Sequence, residues 1–300
     1  MPTIKAFANG DECYVAWSTD APIPNCEGFA LFRIPVTRDE HGNPVNGQEV
    51  VVNNRIDFNN LQVGATAAVG SNQSPIKRFS WVDHDVEAGV EVRYRVEPVV
   101  DGAPNGDSTV SEPVMLTNDA GDGYQAFFNR GLVMSQFVSR IAQADGFNPM
   151  RITDALAGSE RTLRQFMGGQ LMAKLNSILD DLAAPGNTDQ IFLALYELSD
   201  NILVPKLALL SDRVNIILTN GAAQPDENAA ARKVLTDAGC NVFMRHFKEG
   251  ASAHNKFLVV TDANGAARFV QTGSANWQLT GMCTQINNIV VSSNAELADQ

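Results

Sequence analysis

The chain has 300 residues, 44% of them hydrophobic and 19% charged, enough for about two domains with a sizeable core. Its 22 Lys and Arg stand against 34 Asp and Glu, a net charge of −12; this excludes a broadly basic nucleic-acid surface and opposes approach to anionic membranes, but allows a local cationic pocket for one phosphate. No apolar stretch approaches the roughly 20 residues of a membrane helix, and the opening M-P-T-I-K-A-F-A-N-G-D-E lacks the apolar segment of a secretory signal, so a cytoplasmic location is expected. The charge is uneven, with 8 Lys and Arg against 16 Asp and Glu in residues 1–118, yet neither half is basic. Cys13, Cys26, Cys240 and Cys283 show neither C-x-x-C nor Cys/His metal spacing and read as buried free thiols.

Residues 1–118 alternate short β-like runs (12–17, 28–34, 76–82, 90–99 and 110–116) with Pro-, Gly- and Asn-rich connections, and carry no helical periodicity. They predict a β-sandwich. Trp17, the run F-A-L-F-R-I and Tyr94 in V-E-V-R-Y-R-V-E-P-V resemble the strand-B tryptophan, strand C and corner tyrosine of a fibronectin type III module. The resemblance implies a module that binds a partner or spaces domains. His41 and His84 belong to it.

Residues 119–158 read as a connector, in which F-F-N-R-G-L-V-M-S-Q-F-V-S-R-I has the pattern of a short helix. From 159 to 182 the apolar residues Leu163, Phe166, Met167, Leu171, Leu175, Ile178, Leu179 and Leu182 recur at helical spacing, and Pro185-Gly186 is the stop. Gly168-Gly169 interrupts this helix. A regular alternation follows, with strands at 190–196, 214–218, 242–246, 256–260, 268–271 and 289–292 and helices at 201–210 and 227–238, the second opened by Asp226-Glu227 as cap and dipole partner. Buried strands alternating with helices predict an α/β sandwich over residues 159–300.

The chemistry is concentrated in S-A-H-N-K-F-L-V-V-T-D and Q-T-G-S-A-N-W. His254 and Lys256, one residue apart before the apolar run 257–260, would project to one face of an extended strand. An imidazole there can attack phosphorus, and an ammonium beside it can neutralise the phosphoryl oxygens. Gly273, Ser274 and Asn276 add small groups that allow close approach and donate hydrogen bonds. Glu197, which with Tyr196 ends a strand, Trp277 directly after Asn276, and Asn287 are possible pocket residues, with a solvated or structural role as the plainer reading of each. His246 is more simply structural. No Cys/His/Asp cluster with metal-ligand spacing accompanies the site, so neither metal nor cofactor is expected.

H-x-K at 254–256, an apolar strand, Asp262 and then G-S-A-N at 273–276 resemble the HKD signature of the phospholipase D superfamily, H-x-K-x4-D followed by G-S-x-N. Two positions depart from it. Five residues separate Lys256 from Asp262, with Thr261 where the Asp usually stands, and Asn287-Asn288 occupies a place where many relatives carry an acid. The resemblance implies an α/β sandwich with its site on strand ends, and His254, Lys256 and Asp262 as catalytic residues. It also implies phosphate binding by Gly273, Ser274 and Asn276, and a metal-independent reaction through a phosphohistidine. A second HKD copy would supply the general acid, from a homodimer mate or from a missing C-terminal half; the closing S-S-N-A-E-L-A-D-Q reads as a helix cropped after about one turn. The expected activity is a phosphodiesterase or phosphatidyl transferase acting on a phospholipid or small phosphodiester. The alternatives are a non-catalytic binding or scaffold protein with a degenerate site, or a single-motif nuclease working as a homodimer.

Overall fold

The computed structural model describes residues 3–54, 69–131, 156–157, 162–219, 228–246 and 253–299. They form two compact units, one over Met1–Asn118 and the other beginning at Asp119.

The strands of the first unit are β1 (Thr3–Ala8), β2 (Cys13–Ser18), β3 (Cys26–Arg38), β4 (Pro44–Asn46), β5 (Val50–Val51), β6 (Asn53–Asn54), β7 (Val69–Gly70), β8 (Ser80–Asp83), β9 (Glu91–Val100), β10 (Ala103–Pro104), β11 (Thr109–Val110) and β12 (Val114–Met115). One antiparallel sheet has the order β1-β2-β8; another has β10-β9-β3-β4, with β5 on β3 and with β11 and β12 on β9. Side chains alternate across each strand. Cys13, Val15 and Trp17 of β2 therefore face Phe29 and Leu31 of β3 and Val92, Tyr94 and Val96 of β9 in one shared core. The buried Tyr94 hydroxyl donates to Asp83 at 3.0 Å, and Arg33 donates to the same carboxylate oxygen at 2.7 Å.

Two expected strands differ here. The run 110–116 is split into β11 and β12 around Pro113, which has no N–H to give the ladder. In 76–82 only Ser80–Asp83 is a strand, because Ile76 pairs in an isolated bridge with Phe29 of the opposite sheet, so the segment crosses between sheets. β1 had no strong sequence signal, since its inward residues include the small Ala6 and Ala8.

The second unit comprises β13 (Asp119–Gly121), β14 (Tyr124–Phe128), α1 (Thr162–Ala183), β15 (Gln190–Leu195), α2 (Leu203–Ala208), β16 (Val214–Thr219), α3 (Ala229–Asp237), β17 (Asn241–Arg245), β18 (Lys256–Thr261), β19 (Ala267–Gly273), α4 (Leu279–Cys283), β20 (Asn288–Ser292) and α5 (Ala295–Asp299). Its sheet has the order β13-β14-β20-β19-β18-β15-β16-β17. The β15-β16 and β16-β17 pairs are parallel, and β14, β20, β19, β18 and β15 pair antiparallel in turn. Ile191, Leu193, Leu195, Val214, Ile216, Leu218, Leu258 and Val260 are buried, while Phe192, Ile217 and Phe243 stand exposed on the other face.

The connector expected over residues 119–158 is corrected at its start. β13 and β14 belong to this sheet, with Gln125 opposite Val291 and Phe127 opposite Ile289 of β20. A short strand whose partner lies far downstream leaves little periodicity to detect. The helix expected within the connector falls largely outside the described residues, as do Asp226 and Glu227.

Helix α1 buries Leu163, Met167, Leu171, Leu175, Leu179 and Leu182. It kinks at Gly169, whose backbone (φ 52°, ψ −152°) is non-helical. The carbonyls just before the kink accept from Arg130: its N–H bonds Met167 O at 2.8 Å and its guanidinium bonds Phe166 O at 3.3 Å. Nearby, Arg164 and Asp200 form an ion pair at 2.7 Å with both side chains fully buried, and the second Asp200 oxygen accepts from the N–H groups of Ile202 and Leu203 at the start of α2. Among the described residues no helix is long and apolar enough to cross a membrane.

Candidate active site

Antiparallel order brings the start of β18, the end of β15, the end of β19 and the start of β20 to one edge of the sheet: Lys256 lies opposite Leu195 and Gly273 opposite Ile289. The ladder continues one step past the strands, where Tyr196 N–H donates to Asn255 O at 2.8 Å. This register fixes His254 and Lys256 against the residues that follow β15.

Lys256 shares the buried side of β18 with Leu258 and Val260 and is only 5% exposed. Its ammonium donates to the carbonyl of His254 at 3.2 Å and lies 5.4 Å from the centre of the Tyr196 ring. The exposed His254 meets the same ring edge-on, with centroids 4.7 Å apart and planes at 61°. Desolvation, with Lys256 adding repulsion, holds the imidazole below its ordinary pKa. Burial also lowers the pKa of Lys256, and Glu197 opposes that shift.

Gly273 lets β19 cross closely over β20. A Cβ there would come within 2.3 Å of Asn288 O. Ser274 ties the same two strands together: its N–H donates to Asn288 O at 3.1 Å, its hydroxyl donates to Asn287 Oδ1 at 2.9 Å, and the hydroxyl accepts from Asn288 N–H at 3.0 Å. The amides of Asn276 and Gln278 both donate to one oxygen of Glu197, the second at 2.7 Å. A carboxylate partner requires the Asn276 NH2 to point at it, which leaves Asn276 Oδ1 buried without a partner.

The other expected site residues have structural surroundings. Trp277 is fully buried, its N–H donating to Glu197 O at 3.0 Å and its carbonyl accepting from Ser199 and Asp200, so it stitches segment 197–200 in place and does not wall an open pocket. Asn287 is buried, donating through its amide to Gly281 O at 2.7 Å and through its N–H to Asn129 Oδ1 at 2.9 Å. The Asn129 amide in turn donates to Gly281 O and Met282 O. No spacing in the sequence pointed to Asn129, because it acquires its role from a partner distant in the chain.

Asp262 is corrected. It sits past the far end of β18, roughly 26 Å along the extended chain from His254, where its Oδ1 accepts from Asn264 and Ala266 N–H groups and shapes the turn into β19. Those donors hold its carboxyl below the ordinary range. Among the described residues no carboxylate hydrogen-bonds the His254 imidazole, and no group of three or more His, Cys, Asp or Glu side chains is placed to share a metal ion. His246 is exposed just after β17.

The mixed α/β unit with H-x-K and G-S-x-N at one sheet edge agrees with the sequence comparison. Residues 184–300 match the family model of the cardiolipin synthase, PLD-like domain. The chain thus carries a phospholipase D-like domain over that span, and the N-terminal β-rich region is of unassigned family. No curated protein matches the chain. Among solved structures it is similar to NucT from Helicobacter pylori, at 12% identity and TM-score 0.32 over 43% of this chain and 82% of that one. It is also similar to Nuc from Salmonella typhimurium, a phospholipase D family member, at 19% identity and TM-score 0.30 over 41% and 79%. A third is yeast tyrosyl-DNA phosphodiesterase, at 17% identity and TM-score 0.29 over 38% and 27%.

Proposed function

We propose that the phospholipase D-like domain is a phosphodiesterase working through a covalent phosphohistidine, with a phospholipid or small phosphodiester as substrate. The observation that carries this reading is the meeting of His254 and Lys256 at the Tyr196 ring, with an imidazole kept less basic than usual beside an ammonium. Near neutral pH such an imidazole has a free lone pair. It attacks phosphorus, and the P–N bond forms as the bond to the leaving oxygen breaks; a general acid protonates that oxygen. Water or an alcohol, giving its proton to the now deprotonated general acid, then attacks phosphorus, breaks the P–N bond and restores the imidazole.

Lys256 offsets the charge that builds on the phosphoryl oxygens. Gly273, Ser274 and Asn276 are the phosphate-binding groups of this reading, and substrate must draw the Ser274 hydroxyl from Asn287 and the Asn276 amide from Glu197. The general acid is a histidine of a second H-x-K site, from a homodimer mate or from sequence beyond these 300 residues. The net charge of −12 disfavours long nucleic acid, the substrate of the homodimeric nuclease alternative. A non-catalytic binding protein is the contrasting reading, supported by the structural use of Asn287 and by the lack of a carboxylate on His254 among the described residues. The β unit is read as fibronectin type III-like on its two sheets, Trp17 and Tyr94, with a partner-binding or spacing role.

The test is hydrolysis of bis(4-nitrophenyl) phosphate by the full chain. Wild type should release nitrophenol, His254→Asn should release none, and Lys256→Met should lose about 100-fold or more in kcat. An equal rate in His254→Asn and wild type, or no release by wild type at any concentration, contradicts the reading.

A further inference from the structure

We infer that Tyr196 is a positioning residue for the reaction: its ring orients the His254 imidazole for attack and shields the Lys256 ammonium from water. The inference rests on the phosphodiesterase reading and adds a residue to it. Three observations converge. The ring touches both reacting groups, edge-on to His254 with centroids 4.7 Å apart, and 5.4 Å from the Lys256 nitrogen. Its backbone is held at both ends, since its N–H donates to Asn255 O at 2.8 Å and its carbonyl accepts from Thr219 Oγ1 at 3.0 Å and Asn228 Nδ2 at 2.9 Å. Asn228 is itself buried and also accepts from Leu198 N–H at 2.8 Å, so the turn after β15 is locked around the aromatic side chain.

Among the described residues no carboxylate reaches His254, and Asp262 is at the opposite end of β18. A ring packed against the imidazole edge restricts its side-chain rotation, while the same π system attracts the ammonium electrostatically. Holding the nucleophile near its attack geometry is worth about 10- to 100-fold in rate when lost. The charge that bears on the titration of His254 is the Lys256 ammonium two residues along the chain.

The experiment compares wild type with Tyr196→Phe, Tyr196→Leu and Tyr196→Ala in the full chain. Each protein is checked for folding by circular dichroism, assayed on bis(4-nitrophenyl) phosphate, and titrated by NMR at the His254 ring protons, assigned with His254→Asn. Tyr196→Ala should lower kcat about 10- to 100-fold with KM changed less than about threefold, and should move the His254 midpoint up towards its ordinary value as water reaches the ring. Tyr196→Leu, which keeps bulk but not the π face, should show the kcat loss should the Ala protein not fold. Tyr196→Phe should restore turnover to within about threefold and keep the midpoint. Wild-type kcat and an unmoved midpoint in the Leu and Ala proteins overturn the assignment. An inactive wild type whose His254 midpoint still moves in Ala and not in Phe supports the positioning and sinks the hydrolase reading alone.

Discussion

Lys256 must carry its proton to offset phosphoryl charge, and its surroundings pull its basicity in opposite directions, burial lowering it and Glu197 raising it. His254 must be unprotonated to attack, and desolvation with Lys256 nearby keeps it so to lower pH than usual. Turnover is therefore lost as pH falls through a His254 pKa below 6.5 and as pH rises through a Lys256 pKa below 10.5. Glu197→Gln removes the group that supports the ammonium. The alkaline limb of kcat/KM should then move to lower pH while the acid limb stays nearly in place, as read from a pH–rate profile; an unmoved alkaline limb would separate Glu197 from Lys256. His254, Lys256 and the G-S-x-N group were legible in the sequence because the chemistry demands those residue types at short spacing. Asn129 was not, since an asparagine gains its role only when β14 comes beside β20. Asp262 misled for the converse reason: nearness in sequence along a strand is distance in space.

Helix α1 shows how an element can depend on one backbone conformation. Gly169 bends it with φ 52° and ψ −152°, and Arg130 takes the carbonyls of Phe166 and Met167 that precede the bend. A side chain at Gly169 is strained in that conformation, so Gly169→Ala should cost about 1–3 kcal/mol. Urea denaturation of the two proteins measures it; equal midpoints would mean that the helix straightens without penalty. The interruption of this helix at Gly168-Gly169, and the strands that follow it, could be read from apolar periodicity. The strand β14 could not, because five residues alternating imperfectly between connector and helix signals carry too little pattern without their partner β20. The same limit explains β1, whose small inward side chains bury little apolar area each.

At the scale of the whole molecule, the first unit has its own core around Trp17, Phe29 and Tyr94, and the second has a sheet that begins with β13 and β14. The second unit should therefore fold without the first, provided that residues 119–128 are kept. A chain starting at Asp119 should give one cooperative unfolding transition and retain turnover of a small soluble diester, as followed by circular dichroism and nitrophenol release. Aggregation of that chain would show that it needs residues 1–118. The two-unit division was legible in the change from β-like runs to helix–strand alternation, and the chemistry was legible only in the second unit.

The claim on which the rest depends is that His254 itself takes the phosphoryl group. Mixing the protein with a phosphodiester labelled with radioactive phosphorus, quenching in base within the first turnovers and mapping the label by mass spectrometry tests it directly. The account predicts a phosphoryl group that still carries one ester substituent bonded to the His254 imidazole, stable in base, lost in acid, and absent from His254→Asn. Turnover with no label on His254 at any quench time, or an unchanged rate in His254→Asn, would contradict it.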